Sequence, residues 1–88
     1  MQETFAIAAF RSRQQVMRYD SALRRAGVRS QVISTPRDIS IGCGLSVRFE
    51  LADTHRALEI YQQTRPGNLI GFYQVSRAEN GKMQILPL

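Results

Sequence analysis

The chain contains one cysteine, one histidine and no tryptophan among its 88 residues. A single cysteine excludes an internal disulfide, and with a single histidine it also excludes a Cys/His zinc site within one chain. We therefore expect no metal and no other cofactor. A free thiol without a disulfide partner favours a reducing compartment, which predicts a cytoplasmic protein.

Long apolar runs are also missing. The longest, residues 4–10, has the length of a strand and falls far short of the ~20 residues that cross a membrane. The first residues carry no basic cluster and no cleavage-site pattern, so we expect no signal peptide and no membrane association. A chain of this length with 43% hydrophobic residues is expected to fold as one domain over residues 1–88.

Lysine is nearly absent: Lys82 is the one lysine among twelve basic residues, and the net charge is +5. Arginine binds phosphate and carboxylate groups through paired hydrogen bonds, so an anionic partner is expected. However, no four basic residues are adjacent in the chain. The outer face of the third predicted strand carries Ser46, Arg48 and Glu50 rather than the aromatic rings on which RNA-binding sheets stack bases. Both observations argue against nucleic-acid binding.

Hydrophobic periodicity predicts the order strand, helix, strand, strand, helix, strand. The predicted segments are residues 4–10, 13–26, 30–34, 45–51, 55–64 and 69–75. Asn80-Gly81 predicts a two-residue hairpin that returns a short last strand at 83–86. This order predicts an α+β, ferredoxin-like βαββαβ fold, with a four-stranded antiparallel sheet, two helices on one face and a short C-terminal strand as an addition.

The helix ends are marked by capping residues. Ser12 and Gln15 match a capping box at the start of the first helix, and Gly27 predicts a left-handed residue after its end. Asp53 or Thr54 is expected to cap the second helix. These signals predict where both helices begin.

Cys43 is the most informative residue, because it stands between Gly42 and Gly44 in the loop before the third predicted strand. Thiol chemistry requires an accessible thiolate, and the two glycines leave space and backbone amides around the sulfur. Arg37 and Arg48 are near enough in sequence to supply positive charge. Cys43 is therefore the candidate catalytic or carrier thiol. A free cysteine can equally be a small buried apolar residue, and the sequence leaves both interpretations open.

The single histidine, His55, is not expected to activate Cys43. It begins the second predicted helix, whereas Cys43 precedes the third strand, so more than ~15 Å is expected between them. The chain has no P-loop, no paired carboxylates and no Ser/His/Asp order. Whether the protein is an enzyme stays open, and the residues favour a carrier over a stand-alone enzyme.

One stretch of the chain resembles a known family. It runs Thr35-Pro36-Arg37-Asp38-Ile39-Ser40, then Gly42-Cys43-Gly44-Leu45 and an alternating strand. This pattern resembles the selenium/sulfur carrier-like protein family, a small domain long classed as of unknown function. The likeness covers about residues 4–75, and residues 76–88 form a hairpin or tail outside it. Members more often have serine where this chain has Gly42.

The resemblance implies that Cys43 is the carrier thiol, that Gly44 shapes the approach to it and that Arg37 belongs to the motif loop. It predicts a protein that holds a persulfide, or its selenium equivalent, and passes it from a donor protein to an acceptor protein. The alternative is a non-catalytic interaction or regulatory module that forms a homodimer through its sheet, with Cys43 structural. Alkylation separates the two, because a thiol in a core or interface resists the reagent.

Overall fold

The computed structural model describes residues 3–37, 39 and 44–88 of the chain. Its elements in chain order are β1 (Glu3–Phe10), α1 (Arg13–Arg25), β2 (Ser30–Ser34), β3 (Leu45–Phe49), a 3₁₀ turn (Leu51–Asp53), α2 (Thr54–Thr64), β4 (Leu69–Arg77) and β5 (Met83–Pro87). The strands form one antiparallel sheet in the order β2-β3-β1-β4-β5. The predicted α+β class with two helices is confirmed. The predicted short C-terminal strand is present as β5 and pairs with β4, so the sheet formed by the described residues has five strands rather than four.

β1 is the central strand of the sheet, as its almost continuous apolar sequence predicts. Because successive side chains alternate between faces, Ala6, Ala8 and Phe10 lie on the face that packs against the helices. The main core forms there, with Tyr19 of α1 fully buried. The Tyr19 hydroxyl donates a hydrogen bond to the carbonyl of Ala57 in α2 at 2.6 Å. This bond joins the two helices across the core.

α1 begins and ends close to the predicted residues. The Ser12 hydroxyl accepts a hydrogen bond from the Gln15 N–H at 3.4 Å, which is one half of the predicted capping box. The other half would be a hydrogen bond from the Ser12 N–H to the Gln15 side chain, and it is not formed. Within the described part of the chain, the buried Gln15 Oε1 has no hydrogen-bond partner. At the other end Gly27 has φ +83°, so the predicted left-handed residue is confirmed.

The junction between β3 and α2 differs from the prediction. β3 ends at Phe49 rather than at Leu51, because Leu51–Asp53 form the 3₁₀ turn. Asp53 occupies the N-cap position of α2, yet its side chain makes no capping hydrogen bond. Instead the Thr54 hydroxyl donates to the Leu51 carbonyl at 2.6 Å. The sequence predicted that a side chain would cap the start of α2. In the structure the 3₁₀ turn, joined to Thr54 by this hydrogen bond, precedes the helix instead.

The β4–β5 connection is also longer than predicted. The Ala78 N–H donates to the Lys82 carbonyl at 2.9 Å, and the Gly81 N–H donates to the Ala78 carbonyl at 3.0 Å. Gly81 has φ +84°, a conformation that glycine adopts without steric cost. The prediction of a two-residue hairpin at Asn80-Gly81 was wrong, because three residues separate the hydrogen-bonded ends and Gly81 takes the left-handed position.

A second apolar cluster covers the face of the sheet opposite the helices. Phe5, Ile7 and Val75 are almost completely buried there, and the partly buried residues packed against them are Ile33, Ile39, Tyr73, Met83 and Ile85. Ile39 comes from the loop between β2 and β3, while Met83 and Ile85 belong to β5. The loop and β5 thus contribute side chains to a face of the sheet that β1 to β4 alone would leave more open.

Candidate functional site

Several segments of the chain meet at one end of the sheet. Phe10, at the end of β1, pairs with Leu45 at the start of β3 and with Leu69 at the start of β4. Ser34, at the end of β2, pairs with Leu45 on its other side. The loop that contains Cys43 leaves β2 and enters β3 at this end, so the residues around it come from distant parts of the sequence.

Cys43 and Gly42 lie outside the described residues, as do Asp38, Ser40 and Ile41. The exposure of the thiol and its distance from His55 therefore stay predictions. Gly44, which a single peptide bond joins to Cys43, is described. Its carbonyl accepts a hydrogen bond from the Thr35 N–H at 3.0 Å, which closes the base of the loop.

A pair of buried hydroxyl groups lies beside this closure. The hydroxyl oxygens of Thr35 and Ser46 are 2.7 Å apart, and both side chains are buried. Ser46 does lie on the face of β3 away from the helices, as the alternation predicts, but the expectation of a solvent-facing side chain was wrong. Neither residue was predicted to belong to the site. Their positions in the sequence could have indicated them, because Thr35 and Ser46 stand at the two ends of the loop that carries Cys43.

A groove of about 640 Å³ opens at the same end of the sheet. Its described lining residues are Arg11, Arg13, Ser34, Thr35, Arg37, Gly44 and Leu45. Arg37 and Gly44, both predicted site residues, are therefore together. Within the described residues, Arg11, Arg13 and Arg37 take part in no ion pair, so no described carboxylate neutralises the three positive charges at the groove.

Arg48, the other predicted arginine, is placed elsewhere. It lies three residues along β3 from Leu45, a separation of ~10 Å along the strand. Its Nη2 donates to the Glu3 carboxylate at 3.1 Å, and its guanidinium lies 3.8 Å from the centroid of the Phe5 ring. These contacts give Arg48 a place in the packing of the second apolar cluster. Its predicted effect on the thiol stays a prediction.

His55 lies in the first turn of α2, as predicted, and it is a surface residue. Its side chain is 91% exposed, and its Nε2 lies 2.9 Å from Oε1 of Glu59, one helical turn further on. In the part of the chain that the structure describes, no three His, Cys, Asp or Glu side chains are grouped as metal ligands. Over the same residues, neither helix has the length and apolar character needed to cross a membrane.

A family model described as "Putative Se/S carrier protein-like" matches residues 5–74 of the chain. The chain belongs to this family. No curated protein sequence and no solved structure matches it. The family resemblance predicted from the sequence over about residues 4–75 is thereby confirmed. The matched region contains Cys43 and all the described groove residues, and it ends before β5 (Met83–Pro87).

Proposed function

We propose that this Se/S carrier-like protein holds a sulfur or selenium atom on Cys43 and passes it from a donor protein to an acceptor protein. The supporting observation is that the family match includes the only cysteine, while Arg37 and Gly44 on either side of it in sequence line one groove. The family name itself describes a carrier and implies partner proteins in general. The persulfide on Cys43 is the finer step that we add.

The chemistry of such transfer requires little beyond the thiol. The Cys43 thiolate attacks the terminal sulfur of a donor persulfide, a new sulfur–sulfur bond forms, and the donor thiolate leaves with the electron pair of the broken bond. The acceptor thiolate then attacks the terminal sulfur on Cys43, and Cys43 leaves as a thiolate. Positive charge near the sulfur favours the thiolate, and Arg37, which lines the same groove as Gly44, is the candidate to supply it. No resident cofactor enters either step.

The architecture is compatible with the ferredoxin-like interpretation. The order β2-β3-β1-β4 arises from two units, β1-α1-β2 and β3-α2-β4, and β5 extends the sheet beyond β4. We propose that residues 1–88 act as one domain, because β1 and β5 from the two ends of the chain belong to the same sheet. A reducing cytoplasm would keep the single thiol free for transfer.

The direct test is the reactivity of Cys43 in the native protein. An exposed and activated thiolate should react rapidly with iodoacetamide, with a pH midpoint below the ~8.5 of a free thiol. Incubation with a low-molecular-weight persulfide should then add one sulfur atom to the protein by mass spectrometry. Cys43→Ser should remove both results and leave the circular dichroism spectrum unchanged. A Cys43 that is never loaded, or a serine variant that still transfers sulfur, would end the proposal.

The second candidate is the non-catalytic module that forms a homodimer through its sheet. It is supported by the edge strand β5, where Leu86 is 47% exposed and Leu88 beyond its end is 52% exposed. Unpaired edge strands with apolar side chains are common sites of association. This function predicts a dimer in sedimentation experiments together with an unreactive Cys43. A reactive thiol in a monomer would exclude it.

A further inference from the structure

Three arginines from two separate segments of the chain converge on the groove at the end of the sheet. Arg11 and Arg13 follow β1, whereas Arg37 follows β2. Because β1 and β2 flank β3 on its two sides, strand pairing brings these residues to the same end of the sheet. The Arg11 N–H donates to the Asn68 carbonyl at 2.9 Å, which fixes the backbone as it leaves β1. We call this feature the arginine groove.

The acidic residues that the structure describes belong to other parts of the fold. Glu3 begins β1, and Glu50 follows the end of β3, so both are at the opposite end of the sheet. Asp20 is in an ion pair with Arg24 at 3.1 Å, and Glu59 contacts His55. A second hollow, of about 320 Å³, lies at that opposite end and includes Glu50 among its lining residues. Among the described residues, the lining of the arginine groove is positive without a compensating carboxylate.

We infer that the arginine groove is the docking site for an acidic segment of the protein that exchanges sulfur with Cys43. The inference rests on the proposed function, because Gly44 lines the groove and is directly bonded to Cys43. A guanidinium group binds a carboxylate through two parallel hydrogen bonds, so three of them favour a run of Asp or Glu side chains. A volume of about 640 Å³ accommodates several side chains of a polypeptide and far exceeds one small anion.

The lining favours a protein partner over a nucleic acid. Proteins that bind single-stranded RNA or DNA combine basic residues with exposed aromatic rings on which the bases stack. The described lining contains no aromatic residue, and Leu45 is its one large apolar side chain. Positive charge without a stacking surface suits carboxylates, and it should also raise the rate at which an acidic partner meets the carrier.

The test measures binding of a fluorescein-labelled hexaglutamate peptide to the full chain by fluorescence anisotropy at low salt. The groove variant is Arg11→Gln/Arg13→Gln/Arg37→Gln. The control variant, Arg18→Gln/Arg25→Gln/Arg29→Gln, changes three exposed arginines outside the groove and lowers the net charge equally. We expect the groove variant to bind about 10-fold more weakly and the control to change less than about 3-fold. Salt at ~0.5 M should abolish binding to the native protein.

The bound peptide should also slow alkylation of Cys43 by iodoacetate in the native protein but not in the groove variant. Equal weakening in both variants would mean that only net charge matters, and it would overturn the inference. Tighter binding of an RNA hexamer than of the peptide, lost in the groove variant, would overturn it in favour of a nucleic-acid site.

Alkylation of Cys43 distinguishes a failure of the docking proposal from a failure of the proposed carrier function. An unreactive thiol contradicts the carrier function, whereas a reactive thiol with unaltered peptide binding in the groove variant contradicts docking alone.

Discussion

The hydroxyl oxygen of Thr35 lies 2.7 Å from the hydroxyl oxygen of Ser46, and both side chains are buried. Thr35 directly follows β2, and Ser46 is the second residue of β3. The Thr35 N–H also donates to the Gly44 carbonyl at 3.0 Å. Two hydrogen bonds therefore hold the two ends of the Cys43 loop together, and Thr35 and Gly44 also line the arginine groove.

Removing one member of this hydroxyl pair should destabilise the fold. Thr35→Val leaves the buried Ser46 hydroxyl without its partner, and we expect the free energy of unfolding to fall by about 1–3 kcal/mol in urea denaturation. The double variant Thr35→Val/Ser46→Ala should recover part of that loss, because neither polar group is then left unpaired. Ser34→Ala, at an exposed neighbouring position, is the matched control and should change stability by less than ~0.5 kcal/mol. Additive losses in the double variant would contradict a direct bond.

Arg37 and Arg48 should differ in their effect on Cys43. Arg37 lines the groove with Gly44, whereas Arg48 contacts Glu3 and the Phe5 ring on another part of the sheet. We expect Arg37→Gln to raise the pH midpoint of Cys43 alkylation and Arg48→Gln to leave it unchanged, because a charge acts on a thiolate most strongly at short range. Arg48→Gln should instead lower the free energy of unfolding by about 1 kcal/mol. An equal rise of the midpoint in both variants would restore Arg48 as part of the thiol environment.

The strands and helices follow from local patterns that the sequence displays. The apolar run of β1, the periodicity of α1 and the alternation along β3 each identify their element without tertiary information. The burial of Ser46 could not be predicted from such local patterns, because it depends on contact with Thr35, which is distant in sequence. The groove is less predictable still, because Arg11 and Arg37 come together only through the pairing of β1 and β2 with β3. The sequence predicted Arg37 and Gly44 as site residues, a role that stays a prediction, and the sheet register was needed to place Arg11 and Arg13 beside them.

Tyr19 should make stability depend on alkaline pH. Burial raises the pKa of its hydroxyl above the ordinary 10.0, and the neighbouring Tyr61 raises it further. The unfolded chain therefore loses this proton first, so the free energy of unfolding should fall as the pH rises above ~10. Below that value the ionisation of Tyr19 should add no pH dependence. Tyr19→Phe should lose the hydrogen bond to Ala57, which should lower the free energy of unfolding by about 1 kcal/mol at neutral pH. Between about pH 8 and pH 11, the free energy of unfolding should fall less in this variant than in the native protein. An identical pH dependence in both proteins would contradict this role.

β5 should contribute to stability although the family match ends before it. Ile85 is partly buried against the cluster of Phe5, Ile7 and Val75, whereas its neighbour Leu86 is 47% exposed. We expect Ile85→Ala to lower the free energy of unfolding by about 1–3 kcal/mol through lost packing, and Leu86→Ala to change it by less than ~0.5 kcal/mol. Urea denaturation at several protein concentrations measures both effects. Equal losses of unfolding free energy in the two variants would mean that β5 does not pack as described.

A loss of unfolding free energy in Leu86→Ala that depends on protein concentration would show instead that the β5 edge joins two copies of the chain, as the homodimer alternative requires.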